Sequence, residues 1–172
     1  MTGIAWLRQR FEVFMEWVVI VLMLLLFAEV TIGVLFRMAG EPLVWYDEVA
    51  SILLAWLTYY ASVLAALKRA HIGVPGFVRS LAPGPRLVAL LISEAMVIGF
   101  FVLLAWLGVS IHEVLMSDFL VSLPEVSSAY VQSVIPIGAT LFVIAELLAL
   151  PEAIADARGS APGGSDLAER LH

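Results

Sequence analysis

The stretch W-Y-D-E-V-A-S-I-L-L-A-W-L-T-Y-Y-A-S-V-L-A-A-L, Trp45 to Leu67, opens with two adjacent carboxylates, Asp47 and Glu48. From Val49 to Leu67 it then carries no charge at all. A helix rises about 1.5 Å per residue and the hydrocarbon core of a bilayer is about 30 Å thick, so a run of this length suits one crossing. The uncharged run therefore predicts a transmembrane helix, and the two acids at its start pose the functional question. They can serve as a proton-handling site, as a contact for a partner, or as the polar rim of a helix whose macrodipole favours acids at its N-terminus.

The whole chain has the same character. Of its 172 residues 62% are hydrophobic, and the mean hydropathy is +1.02. Soluble domains are roughly 45–50% apolar, so the composition predicts an all-α integral membrane protein with no room for a water-soluble core. There is no cysteine, which excludes disulfides, thiolate metal sites and cysteine nucleophiles. Only three histidines are present, His71, His112 and His172; none opposes another within a span, so haem ligation is not expected. The net charge of −6 does not suit nucleic acid, whose phosphates demand clustered Lys and Arg. No nucleophile–base set, phosphate-binding glycine loop or metal-ligand spacing is visible. No catalytic residue, metal or cofactor is expected.

Four spans follow from hydropathy, about residues 17–36, 49–67, 87–111 and 126–150, the last ending at Pro151. They form a single transmembrane domain over residues 1–155. The Gly- and Ser-rich segment from Arg158 to Ser165 marks residues 156–172 as a flexible tail. The P-G-P at Pro83 to Pro85 breaks any helix ahead of the third span. Between Ile4 and Trp17 apolar and charged residues alternate with helical spacing, which predicts an amphipathic segment at the membrane interface, continuous with the first span.

Eight of the nine basic residues fall before the first span, between the second and third, or after the fourth; Arg37 alone lies on the other side. The positive-inside bias then predicts cytoplasmic termini. The two outward loops are acidic, with Glu41, Asp47 and Glu48 in one and Glu113, Asp118 and Glu125 in the other.

Three acids lie within spans, where a carboxylate is costly and often functional. Glu146 lies about one turn from the inner end of its span and is expected to snorkel toward the interface. Glu94 sits about 10 Å in from the inner end, near the level of Glu146 and of Lys68 and Arg69; it suits an ion-paired structural role or a proton path. Glu29 lies about two turns from the outer end, four residues before Gly33, and suits a carboxylate facing a partner helix. Projected as a helix, Ser51, Ala55, Thr58, Ser62 and Ala66 form a stripe of small side chains on the second span, flanked by the two acids. Small residues let helices approach closely in lipid. Trp56, Tyr60, Val63 and Leu67 form a bulkier face.

The run from Trp45 to Val74 resembles the hallmark region of the small membrane (Q-type, DctQ-like) subunit of tripartite ATP-independent periplasmic (TRAP) transporters. Trp45, Asp47, Glu48, the central Trp56-Leu57, and the turn Lys68, Arg69, His71, Ile72 match that pattern. Two positions depart from it: Ser51 stands where the family often has arginine, and Ala61 or Ser62 where it often has glycine. The resemblance implies a non-catalytic scaffold in the bacterial inner membrane. Its partners would be a large polytopic permease subunit, which takes up an organic acid with sodium, and a periplasmic substrate-binding protein. The rival reading is a small proton-coupled multidrug antiporter using Glu29. A quinone-linked membrane enzyme fits the residue inventory poorly.

Overall fold

The computed structural model describes residues 3–69 and 82–158. Five helices account for nearly all of them: α1 Gly3–Met38, α2 Tyr46–Leu67, α3 Pro83–Leu115, the short α4 Ser128–Gln132, and α5 Val134–Ala157. Four helical stretches are long and apolar enough to cross a membrane, the fourth formed by α4 and α5 together. The helices overrun the predicted spans, because hydropathy marks only the segment in hydrocarbon. With 36 residues, α1 extends for about 54 Å, and its amphipathic beginning is a direct continuation of the span. His71, Ile72 and the tail beyond Arg158 lie outside the described residues.

Two expected helix limits shift. Pro83 and Pro85 open α3 instead of preceding it, with Pro at the first helical positions, where its missing N–H is not needed. Pro151 lies inside α5, which continues to Ala157. A proline inside a helix removes one backbone bond and usually kinks or ends it. Here the turns on either side are held by packing, since Ala149, Ala153 and Ala157 are all buried.

In space the helices are ordered α1, α2, α5, α3, so the last helix of the chain lies between the second and third. It is the most enclosed of the four spans. The residues that make this possible are small: Gly138, Ala145, Ala149, Ala153 and Ala157 recur at helical spacing and are buried, giving neighbouring backbones close access. Near its middle, Phe142 and Ala145 join Met15 of α1 and Val63, Ala66 and Leu67 of α2 in the core.

The small-residue stripe on α2 is not where α2 packs within the chain. Ser51, Ala55 and Thr58 are exposed, Ser62 is half-buried, and only Ala66 is buried. The bulky face turns inward instead, with Val63 and Leu67 fully buried. Helical projection gives the phase of two faces but not which one meets a neighbour; α5 supplies the small partner surface, so α2 can present its large side chains to it. The exposed hydroxyls are satisfied locally: Ser51 Oγ donates to the Asp47 carbonyl at 2.7 Å and Thr58 Oγ1 to that of Leu54 at 2.8 Å.

Glycines mark three crossings. A Cβ at Gly33 of α1 would overlap the Tyr46 ring of α2, one at Gly108 of α3 would meet Pro136 of α5, and one at Gly138 of α5 would meet Tyr59 of α2. Gly33→Leu is therefore expected to lower stability by about 1–3 kcal/mol, the usual penalty of overpacking. Thermal unfolding of the detergent-solubilised chain measures this against Gly99→Leu, where nothing lies within 4 Å and little change is expected.

Candidate functional site

The two ends of the bundle differ in chemistry. The end carrying Trp45 and the α3–α4 connection is acidic; the end carrying Arg8, Lys68, Arg69 and Arg86 is basic.

At the acidic end, Trp45 stands at the N-cap of α2 without a side-chain cap. Tyr46 lies against Gly33, with the Arg37 guanidinium 5.7 Å from its ring centroid. The adjacent acids then part company. Asp47 is exposed and pairs loosely with Arg37 at 3.8 Å, both side chains more than half in solvent, an arrangement that contributes little. The Glu48 carboxylate instead reaches the α3–α4 connection. It accepts hydrogen bonds from the backbone N–H of Val121 at 3.1 Å, from that of Ser122 at 2.8 Å, and from the Ser122 hydroxyl. Three donors from one connection thus surround this carboxylate. Such charge-assisted bonds are among the stronger ones in proteins.

That connection is itself a built structure. Phe119 and Ser127 form an antiparallel bridge, and Leu120 N–H donates to the Val126 carbonyl at 3.0 Å. Asp118 accepts from the Ser128 hydroxyl at 2.7 Å, and its carbonyl from the Ser128 N–H at 2.9 Å. Ser127 caps α4 by accepting from Ala129 N–H at 3.2 Å, while its own hydroxyl donates to the Leu115 carbonyl at 2.9 Å. Farther along α2, Trp56 Nε1 donates to the Val131 carbonyl of α4 at 2.8 Å. Glu48 and Trp56, both within the hallmark run, thus hold the connection and the short helix after it from one helix. Ser122 and Val131 were not legible as their partners, since a serine in a loop and a backbone carbonyl carry no pattern.

At the basic end, Arg8 bonds the Leu67 carbonyl through Nη2 at 2.5 Å and Nε at 3.2 Å and pairs with Glu152 of α5. It satisfies a carbonyl left open where α2 ends. Lys68 donates to Glu16 at 2.5 Å and lies 3.8 Å from Glu12. The Glu16 hydrogen bond holds the Lys68 ammonium above the ordinary lysine range. A raised base contributes fully below its unfolded pKa and loses that contribution only as pH rises through the folded value, so this contact persists at neutral pH. Arg86 and Asp156 tie α3 to α5 at 3.4 Å.

The intramembrane acids are placed differently from one another. Glu146 does not snorkel: it is 7% exposed, because α5 is the enclosed helix, and it faces Glu94 with Arg69 nearby. Glu94 lies 3.7 Å from Arg69 with its side chain 12% exposed. Glu29 stands apart, with Oε1 buried and without a hydrogen-bond partner among the described residues. Those residues also hold no group of three or more His, Cys, Asp or Glu able to bind a metal ion.

Glu48→Gln turns one acceptor oxygen into a donor aimed at amide donors. Hydrogen exchange at the Val121 and Ser122 amides is expected to accelerate about tenfold or more, matching the roughly 1.5–3 kcal/mol of hydrogen bonds to a charged group. Ser122→Ala, which leaves both amides paired, should accelerate it less, and Arg37→Ala should leave it unchanged.

A search among curated proteins finds no match. A comparison with protein families matches one, described as "Tripartite ATP-independent periplasmic transporters, DctQ component", over residues 22–156. The match takes in α2, α3, α4 and nearly all of α5, and most of the 172-residue chain. It gives no support to the antiporter reading of Glu29. The chain belongs to the DctQ family and is a small membrane component of a TRAP transporter.

Proposed function

We propose that this chain is a non-catalytic scaffold that binds and stabilises the large permease subunit of a sodium-coupled, binding-protein-dependent uptake system for an organic acid in the bacterial inner membrane. The observation that carries the reading is how the polar groups of α2 are used. Glu48, Trp56, Lys68 and Arg69 are engaged in contacts within the chain. What α2 leaves outside is the small stripe Ser51, Ala55 and Thr58, its hydroxyls bonded to its own backbone, with Leu54 beside it. Such a face offers a neighbouring helix a close approach in lipid and offers a solute no polar path.

In this reading the basic end faces the cytoplasm, by the positive-inside bias, and the acidic end faces the periplasm. The connection held by Glu48 then stands on the side of the periplasmic binding protein. Trp45, Asp47 and Ser62 are further contact candidates on or beside the same helix, and His71, outside the described residues, is another from the hallmark run.

Reconstitution into proteoliposomes tests the scaffold role. The chain alone should move no organic acid, whereas the chain with its large subunit and binding protein should support sodium-dependent uptake. Uptake by the isolated chain would overturn the proposal. Ala55→Trp should reduce co-purification of the large subunit while leaving the thermal stability of the chain itself unchanged; undiminished co-purification would remove the stripe from the interface.

A further inference from the structure

Between α2, α3 and α5, near the basic end, lies a cavity of about 460 Å³. α2 and α3 both pack on α5 but scarcely on each other, and the cavity occupies the cleft they leave. Its polar lining includes Arg69 of the α2 terminus, Ser93 and Glu94 of α3, and Glu146 of α5. Its apolar wall is made by Phe101 and Phe142, stacked with centroids 3.7 Å apart and planes 11° from parallel. Arg69 takes φ 49°, the left-handed region, which is costly for a non-glycine residue; its guanidinium lies 3.7 Å from Glu94.

Three features specify the ligand. The first is charge: among the described residues one guanidinium faces two carboxylates, so an anion-binding group sits beside an excess of negative charge. Buried carboxylates away from water need compensation by a cation or a proton. The second is depth. Glu94 lies eight residues beyond Arg86, and Glu146 six residues before Glu152, both of which are ion-paired at the basic end. At the helical rise these are about 12 and 9 Å, the level at which headgroups give way to acyl chains. The third is shape: a polar floor opens beside an aromatic wall, as an amphiphile requires.

We propose that this cavity binds a phospholipid with a zwitterionic primary-ammonium headgroup, of the phosphatidylethanolamine class. Its phosphate pairs with Arg69, and its ammonium is shared by Glu94 and Glu146. The first methylenes of its chains lie on Phe101 and Phe142. A small primary ammonium donates three hydrogen bonds to the two carboxylates; a quaternary choline donates none, and a glycerol headgroup carries no cation. The bound lipid fills the cleft between α2 and α3, which those helices scarcely bridge themselves.

Native mass spectrometry of the full chain in detergent tests this, with phosphatidylethanolamine, phosphatidylcholine and phosphatidylglycerol of matched acyl chains. Phosphatidylethanolamine should be retained about tenfold more strongly than either. The double substitution Glu94→Gln and Glu146→Gln should abolish that preference. Ser93→Trp, which keeps all three charges and fills the opening, should abolish it too, so a loss caused only by removing charge is told apart. Equal retention of the three lipids by the native chain, or a preference that survives both variants, would overturn the proposal. Displacement of the lipid by millimolar free phosphoethanolamine would assign the site to a soluble zwitterion and overturn its lipid form.

Discussion

A single carboxylate, that of Glu48, joins the first turn of α2 to the connection that leads from α3 back into the bundle. Its importance follows from the spatial order of the helices. α5 comes last in the chain yet lies between α2 and α3, so the preceding segment must carry the chain back across the acidic end and deliver it at one position. The amides of Val121 and Ser122 lie in the outer part of that segment, where Val121 is 95% exposed. Glu48 ties them to α2, and Trp56 ties α4 to the same helix through the Val131 carbonyl. With the entry of α5 fixed, its line of glycine and alanines can meet α2 on one side and α3 on the other.

The opposite end is closed by different means. Arg8, Lys68 and Arg86 link α1 to α2 and α5, and α3 to α5, through carboxylates and one helix-end carbonyl. The bundle is thus fixed by amide–carboxylate bonds at the acidic end, by ion pairs at the basic end, and by small residues between them. This division suits a membrane protein, because apolar attraction between helices is weak where the solvent is itself apolar, and packing and polar contacts must hold the helices instead.

Much of this was legible in the sequence, and the reason differs from residue to residue. The four crossings were legible because hydrocarbon thickness imposes a length on apolar runs. The family was legible because Trp45, Asp47, Glu48 and Trp56 form a local pattern. That Glu94 shares the level of Glu146, Lys68 and Arg69 followed from helical rise; that Arg69 is the cation beside it did not. The burial of Glu146 did not, since depth along a helix says nothing about which side is enclosed. Which face of α2 packs within the chain was not legible for the same reason: the stripe from Ser51 to Ala66 and the bulky face both have helical phase, and α5 brings small residues to the bulky one. Pro151 is tolerated because Ala149, Ala153 and Ala157 are buried on either side of it, a tertiary effect that a local rule cannot contain.

That Glu48 holds the returning connection in one place is the claim on which the rest turns. The chain has no cysteine, and Val44 and Val121 are 85% and 95% exposed at the acidic end, so Val44→Cys and Val121→Cys accept spin labels without disturbing a packed residue. A pulsed electron paramagnetic resonance measurement between them should give one narrow distance distribution, and adding Glu48→Gln should broaden it. A distribution of the same width with and without the Glu48 carboxylate would contradict the claim.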